Sequence, residues 1–479
     1  MEENQVPKNI YETSPAFNSP NIASAQSPAG PVQQTAAPIE PSSRKRFPKT
    51  LIFAVMGIVL VAIFVLIFKV MGGLRGGISG QITWWGLWED SAIVEPLIAE
   101  YQVSHPGIKI NYVKQSQQDY RERLTNALAK GTGPDIFTFH NSWVPMFRSD
   151  LDSLPASVIN PADYVKTFYR TISSDLSTGN SIVGIPLGYD ALALYINEDI
   201  FTKAGKTPPT TWDDLRVLAR ELTVKNEQGV ITQGGIALGR TENVDHWQEI
   251  LALMMIQNNV DLSNPTGKNA EGALTFFTNF SSVDGVWDAS LPPSTQSFAA
   301  GKLAMYLGPS WRYFEIKQSN PGLNFKTVPV PQLPKDSPDQ PDITYATYWA
   351  QGVWTKSKNK VAAWNFLNFL SSKESLQKIY QNAAVSRGFG QPYPRVDMAE
   401  LLNDHPILGS IIRQAPGARS WYLASRTFDG PTGINTQLAN YFGDAVNSVA
   451  GNNKSVTEAL ATAAQGVAQV LSQYRLVVK

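Results

Sequence analysis

The chain has 479 residues, 43% of them apolar, and a formal net charge of zero. It can therefore bury a sizeable core, has room for two or three domains, and lacks the basic excess of a nucleic-acid binder. It has no cysteine, which excludes disulfides, thiolate metal sites, cysteine nucleophiles and anchoring through a lipid-modified N-terminal cysteine.

Residues 1–43 are rich in Pro, Ser, Ala, Gln and Asn, with little hydrophobic periodicity. They cannot bury enough apolar surface to offset ordering entropy and are read as a disordered cytoplasmic leader. Arg44, Lys45, Arg46 and Lys49 follow, and residues 51–68 are an uninterrupted run of apolar residues and glycine. Residues 44–71 are thus read as a basic flank and a transmembrane signal anchor. The rival is a cleaved signal peptide, which has a shorter apolar region and a small-residue cleavage site; here Lys69 follows the run. The cations before the run orient the leader inside and the rest outside. A buried core helix is the other alternative, but it has no need of cations on one flank. Gly72, Gly73, Gly76 and Gly77 make residues 72–79 a flexible linker.

The body starts near Gly80. Ile82 and Trp84 alternate with Thr83 and Trp85, as in a strand. Val94, Leu97, Ile98 and Tyr101 then share a helical face, with Pro96 near the helix start or at a kink. Ile108, Ile110 and Tyr112 alternate again; Tyr120, Leu124, Ala127 and Leu128 give a second helical face; residues 136–139 read as a third strand. Such alternation implies a parallel sheet with crossover helices. Ligands of such sheets bind beyond the strands' carboxyl ends, here residues 85–90, 114–119 and 140–143. Thr211 with Asp214, and Ser455 with Glu458, have the spacing of capping boxes.

Several segments, in order, resemble the family 1 extracellular solute-binding proteins of ABC importers, the maltose-binding-protein-like group. They are Ile82 to Trp85 leading to His105-Pro106-Gly107; Gly131-Thr132-Gly133-Pro134-Asp135; Leu194-Tyr195-Ile196-Asn197 leading to Thr211-Trp212-Asp213-Asp214-Leu215; Phe298-Ala299-Ala300-Gly301-Lys302 leading to Gly308 and Trp311; and Lys356-Ser357-Lys358 leading to Ala363-Trp364-Asn365. The resemblance implies a two-lobed α/β periplasmic-binding-protein fold with hinge crossovers, preceded here by one transmembrane helix. The expected lobes are residues 80–188 plus about 342–385, and 189–341 plus about 386–479. The implied partners are a small-molecule ligand and ABC permease subunits, with the membrane engaged through residues 51–68 and no nucleic acid.

A sugar offers faces of C–H groups and a rim of hydroxyls, so its cleft wants flat aromatics and bidentate polar groups. Trp88 and Glu89 sit in the loop after the first strand; Asp90 is read as a helix N-cap. His140 and Asn141 follow the third strand, where a capped helix start is the alternative. His140 as a metal ligand lacks a partner, since the other histidines stand at 105, 246 and 405 without paired spacing. The resemblance places Tyr189 and Asp190 on a hinge crossover, with a buried salt bridge as the alternative for Asp190. It makes Trp311 a stacking residue, against a core Trp. Trp421 and Arg426 resemble the family's Trp-Tyr…Arg segment, here with one residue more between Trp and Arg. Tyr345, Tyr348 and Trp349 lie near a second presumed crossover. Trp247 reads as packing, with a cleft-facing Trp247 beside Gln248 or Glu249 as the alternative.

Catalytic patterns such as G-x-S-x-G, H-E-x-x-H and Walker A are missing from the sequence, and adjacent carboxylates such as Glu89 and Asp90 match poorly to a pair facing each other across a glycosidic bond. The expectation is a binding protein, not an enzyme, without cofactor or metal, that captures a small polar ligand by lobe closure for an importer. A ligand-sensing ectodomain and a glycoside hydrolase are the alternatives.

Overall fold

The computed structural model describes residues 80–476 except 336 and 338. The leader, the anchor assigned to residues 51–68 and the linker at 72–79 lie outside the described residues. Among the described residues no helix is long and apolar enough to cross a membrane. The chain divides into two units, and the second, Gly76–Lys479, holds all of the described residues.

The expected strand–helix alternation opens it. Strands β1 (Gly80–Gly86), β2 (Ile108–Lys114) and β3 (Ile136–His140) pair in parallel, β1 at the centre, with helices Ser91–Ser104 and Tyr120–Ala129 as crossovers. The first helix buries the apolar face read from the sequence. Pro96 lies inside it, with no N–H for the carbonyl four residues back. Asp90 holds the cap position but makes no side-chain cap bond; its carboxylate pairs with the Lys114 ammonium instead. The Gly131 turn leads to Asp135, whose carboxylate accepts the Thr83 N–H (2.8 Å) and the Ser357 hydroxyl, tying β1 to a distant part of the chain.

A hairpin of β4 (Ser177–Thr178) and β5 (Ser181–Ile182) precedes β6 (Ile185–Pro186), and the chain then passes to a second sheet at β7 (Ala193–Asn197). That sheet adds β8 (Val224–Lys225), β9 (Ile231–Ile236), β10 (Leu303–Gly308) and β11 (Phe325–Val328), in the order β11-β7-β10-β9-β8. The last strand, β12 (Trp349–Val353), returns to the first sheet, whose order is β2-β1-β3-β12-β6. Each sheet carries its own hydrophobic core, one around Trp84, Phe137, Trp143 and Trp364, the other around Tyr195, Leu251, Phe277 and Trp287. Fully burying each such side chain is worth about 1.5–3 kcal/mol, so two separate cores make two lobes.

Residues 187–192 and 344–348 run between the sheets side by side. Ala191 bridges Ala346, Leu192 N–H donates to the Tyr345 carbonyl (2.9 Å), and Thr347 N–H donates to the Asp190 carbonyl (3.0 Å). A further segment, residues 388–395, joins them: the Tyr189 N–H donates to the Pro392 carbonyl (2.9 Å). Both capping pairs read from the sequence form. Thr211 Oγ1 accepts the Asp214 N–H, and Ser455 and Glu458 complete a reciprocal box.

Candidate functional site: a cleft between the lobes

The crossovers floor a cavity of about 400 Å³ walled by both lobes, within the roughly 300–1,000 Å³ typical of small-molecule sites. Tyr189, Asp190, Thr347, Tyr348 and Gln391 come from the crossovers. Trp88, Gln117, His140 and Trp349 come from strand ends and loops of the first sheet. Ser310 and Trp311 follow β10, and Ser425, Arg426 and Phe428 come from a loop near the C-terminal helices.

Trp349 organises the first wall. Its ring meets Trp88 at 5.2 Å, His140 at 5.1 Å and Trp143 at 5.3 Å, each edge to face. His140 is buried, its ring nitrogens bonded to the Ser142 hydroxyl (2.7 Å) and the Thr347 hydroxyl (3.0 Å). Desolvation pulls its pKa down to about 3, so the imidazole is neutral. A neutral ring between two hydroxyls can donate at one nitrogen and accept at the other.

Asp190 sits half-buried on the floor. Its carboxylate accepts the Ser310 N–H (3.0 and 3.1 Å), the Ser310 hydroxyl (2.7 Å) and the Ala191 N–H (2.8 Å). Its structural partners are thus neutral donors, not a salt bridge, and they fasten the crossover to the end of β10. Burial, against these hydrogen bonds, pushes its pKa up to about 6. An unfolded aspartate loses its proton near pH 3.9, so the folded chain holds a proton between about pH 4 and 6 that the unfolded chain has released. Asp190 therefore adds stability as pH falls through that window, and this gain is gone above it. Denaturant unfolding of native chain and Asp190→Asn should show the variant's deficit larger at pH 4.5 than at pH 7.5, by on the order of 2 kcal/mol; an equal difference at both pH values contradicts the assignment.

Trp311 faces the cavity from the second lobe, backed by charge. The Arg312 guanidinium lies over its ring at 4.4 Å. Arg312 is fully buried: it donates to His246 Nε2 (2.8 Å) and Glu315 (2.5 Å) and pairs with Asp245 at 3.2 Å. Burial alone raises the Asp245 carboxyl, but the Arg312 charge, the hydrogen bonds from Thr295 and the nearby His246 together outweigh it and hold the pKa at about 2. His246 in turn meets the Ser425 hydroxyl (2.9 Å), and buried Glu249 accepts the Ser425 N–H (2.7 Å) and hydroxyl (2.8 Å).

Of the residues expected from the sequence, Trp88, His140, Tyr189, Asp190, Trp311, Tyr348, Trp349 and Arg426 line this cavity. Four lie outside it, each for a physical reason. Tyr345 is fully buried, its hydroxyl spent on the Trp421 and Leu423 carbonyls (2.8 Å each). Trp421 packs half-buried against the second core, edge to face with Phe442. Asn141 is buried and donates to Asp175 (3.0 Å). Glu89 turns to a smaller cavity behind Trp88 and Trp349, where one oxygen accepts from Arg387 (2.9 Å) and Gln391 (2.8 Å).

Phe314, Glu315, Gln318, Arg387, Gln391 and Phe428 also line the cavity without having been singled out. Phe314, Glu315 and Gln318 lie three, four and seven residues after Trp311, along helix Arg312–Ser319. Helical periodicity from Trp311 was a signal that could have found them. Among the described residues no group of three or more His, Asp or Glu is placed to hold a metal ion.

Comparison with known proteins agrees with this architecture. A putative binding protein of Brucella abortus is 24% identical over 293 residues, 59% of this chain and 69% of that one. A maltotriose-binding protein of Pyrococcus abyssi is 22% identical over 364 residues, 68% of this chain and 73% of that one. The crystal structure of the cyclic alpha-maltosyl-1,6-maltose binding protein of Arthrobacter globiformis superposes with a TM-score of 0.67 at 18% identity, covering 82% of this chain and all of that one. The family model for bacterial extracellular solute-binding proteins matches residues 85–377, more than half of the chain, and with its two lobes, side-by-side crossovers and cleft the protein belongs to that family.

Proposed function

We propose that the protein captures a neutral saccharide in the cleft, closes its lobes over it and hands it to an ABC permease. The observation that carries this reading is the pairing of flat indoles, Trp88 and Trp349 on one wall and Trp311 on the other, with the hydrogen-bonding groups of Asp190, Thr347 and Gln117. Indoles suit the C–H faces of a sugar ring and the polar groups suit its hydroxyl rim. Relatives whose names specify maltotriose and a cyclic maltosyl-maltose support the same ligand class. Since a ligand shifts lobe closure only by its differential affinity for the two forms, contacts to both walls are what couple binding to closure. Residues 51–68 would tether the body beside the permease, raising its effective concentration there. The lobe limits that fit this reading are residues 80–188 with about 342–385, and 189–341 with about 386–479.

Thermal unfolding of the full chain against mono- to tetrasaccharides tests the proposal. A saccharide at about 100 times its dissociation constant adds about 2.7 kcal/mol, a clear rise in midpoint, and is recovered unchanged, as a binder requires. A flat response across maltotetraose, mannotriose and monosaccharides contradicts the saccharide reading; cleavage of the sugar contradicts the binding role.

A further inference from the structure

The loop at residues 425–429 is the most strained stretch of the cleft. Arg426 (φ 51°) and Phe428 (φ 55°) both adopt the left-handed region, and both line the cavity. That region brings Cβ too close to the following carbonyl oxygen and is an outlier for a residue as bulky as Phe. Such a conformation persists only where the surroundings over-determine it, and here they do. At one end Ser425 is held by Glu249 and His246. At the other, buried Asp429 accepts the Asn435 N–H (2.7 Å) and the Thr436 hydroxyl (2.6 Å) at the start of helix Ile434–Ala450. Between the anchors the strained backbone turns two side chains toward the cleft. The Arg426 guanidinium stands 5.9 Å from the Trp311 ring, and the half-exposed Phe428 ring stands 6.1 Å from Trp88 on the opposite lobe. Just beyond, the Arg121 guanidinium of the first lobe donates to Thr432 (2.9 Å), and Gly430 lies so close to Glu122 that a Cβ there would sit 1.9 Å from its carboxylate oxygen.

We infer that residues 425–429 form a strained clasp whose Phe428 ring closes the cleft by meeting Trp88 across it, and so slows escape of a compact saccharide held beneath. The contact joins opposite lobes, so opening must break it. The ring is more than a third exposed and belongs to neither hydrophobic core, so the fold gains less from a phenylalanine here than from a core one. Strain held by buried anchors and directed onto a cross-cleft contact is what a closure device requires. The saccharide is taken from the proposed function; the clasp itself is testable without it.

The test uses the full chain with Phe428→Asn, which tolerates the left-handed region but removes the ring, and Phe428→Leu, which keeps apolar bulk and strain but not the flat ring. Without ligand, the Asn variant should unfold at a higher midpoint than the native chain, and amides of residues 86–90 and 425–430 should exchange faster because the clasp is open. A lower midpoint with native exchange overturns the inference. With maltotetraose, release measured by stopped-flow tryptophan fluorescence should quicken about tenfold or more in both variants; native release rates in both overturn it. If the native chain binds none of maltotetraose, mannotriose and monosaccharides, the saccharide reading fails, and the ligand-free exchange still decides for or against the clasp.

Discussion

Trp311→Ala should weaken saccharide binding by about a hundredfold or more while leaving the chain folded. The indole is half-buried at the cleft surface rather than sealed in the core, so its loss opens no large interior cavity. It is also held still. Arg312 lies against the ring at 4.4 Å and His246 meets it edge to face at 5.5 Å, so little ordering entropy is lost when a sugar settles on it. Truncation of a rigid aromatic anchor typically costs about 2 kcal/mol or more, and about 2.8 kcal/mol is a factor of a hundred. Trp311→Phe, which keeps a smaller flat face, should fall between. Titration calorimetry of the three chains with the same saccharide checks the order; native affinity in Trp311→Ala contradicts the stacking role given to this residue.

Arg312→Ala should have the largest effect on stability, about 3–5 kcal/mol, the usual loss when one member of a buried ion pair is removed. The guanidinium is fully buried and reaches three partners at once: His246, Glu315 and Asp245. Without it the Asp245 carboxyl loses the strongest of the interactions that hold its pKa at about 2, and burial then drives that pKa up. Arg312→Lys should not restore stability, because one ammonium cannot reproduce the planar fork. Urea unfolding measures the loss, and a midpoint within error of native for Arg312→Ala contradicts the role given to it. The same variant removes the backing of Trp311, so any folded fraction should also bind saccharide more weakly.

The first sheet was legible in the sequence because its order is local. Ile82, Trp84, Ile108, Phe137 and the helical faces between them follow periodicities of two and 3.6, and β1, β2 and β3 pair as that alternation predicts. The loops after those strands were legible for the same reason, and Trp88 and His140 lie where the sheet rule puts a ligand. Neighbouring polar and aromatic residues were harder to sort. Tyr345 and Tyr348 stand three apart on one crossover, yet the first points into the core and the second lines the cleft; the bridges from Tyr345 to Arg419 and from Ala346 to Ala191 decide this, and they join residues distant in sequence. The buried network under Trp311 left no local trace, since His246 and Arg312 are separated by 66 positions and Ser425 and Glu249 by 176. Phe428 had no signal either: its place depends on a backbone conformation that phenylalanine itself disfavours.

The most direct check is a crystal structure of the chain grown with whichever saccharide most raises its unfolding temperature. A sugar ring should lie flat against the Trp311 indole, with at least one hydroxyl within hydrogen-bond reach of Asp190 and contacts to Trp88 or Trp349 on the facing wall. A sugar bound elsewhere on the surface, with the space between those indoles empty, would contradict capture in the cleft.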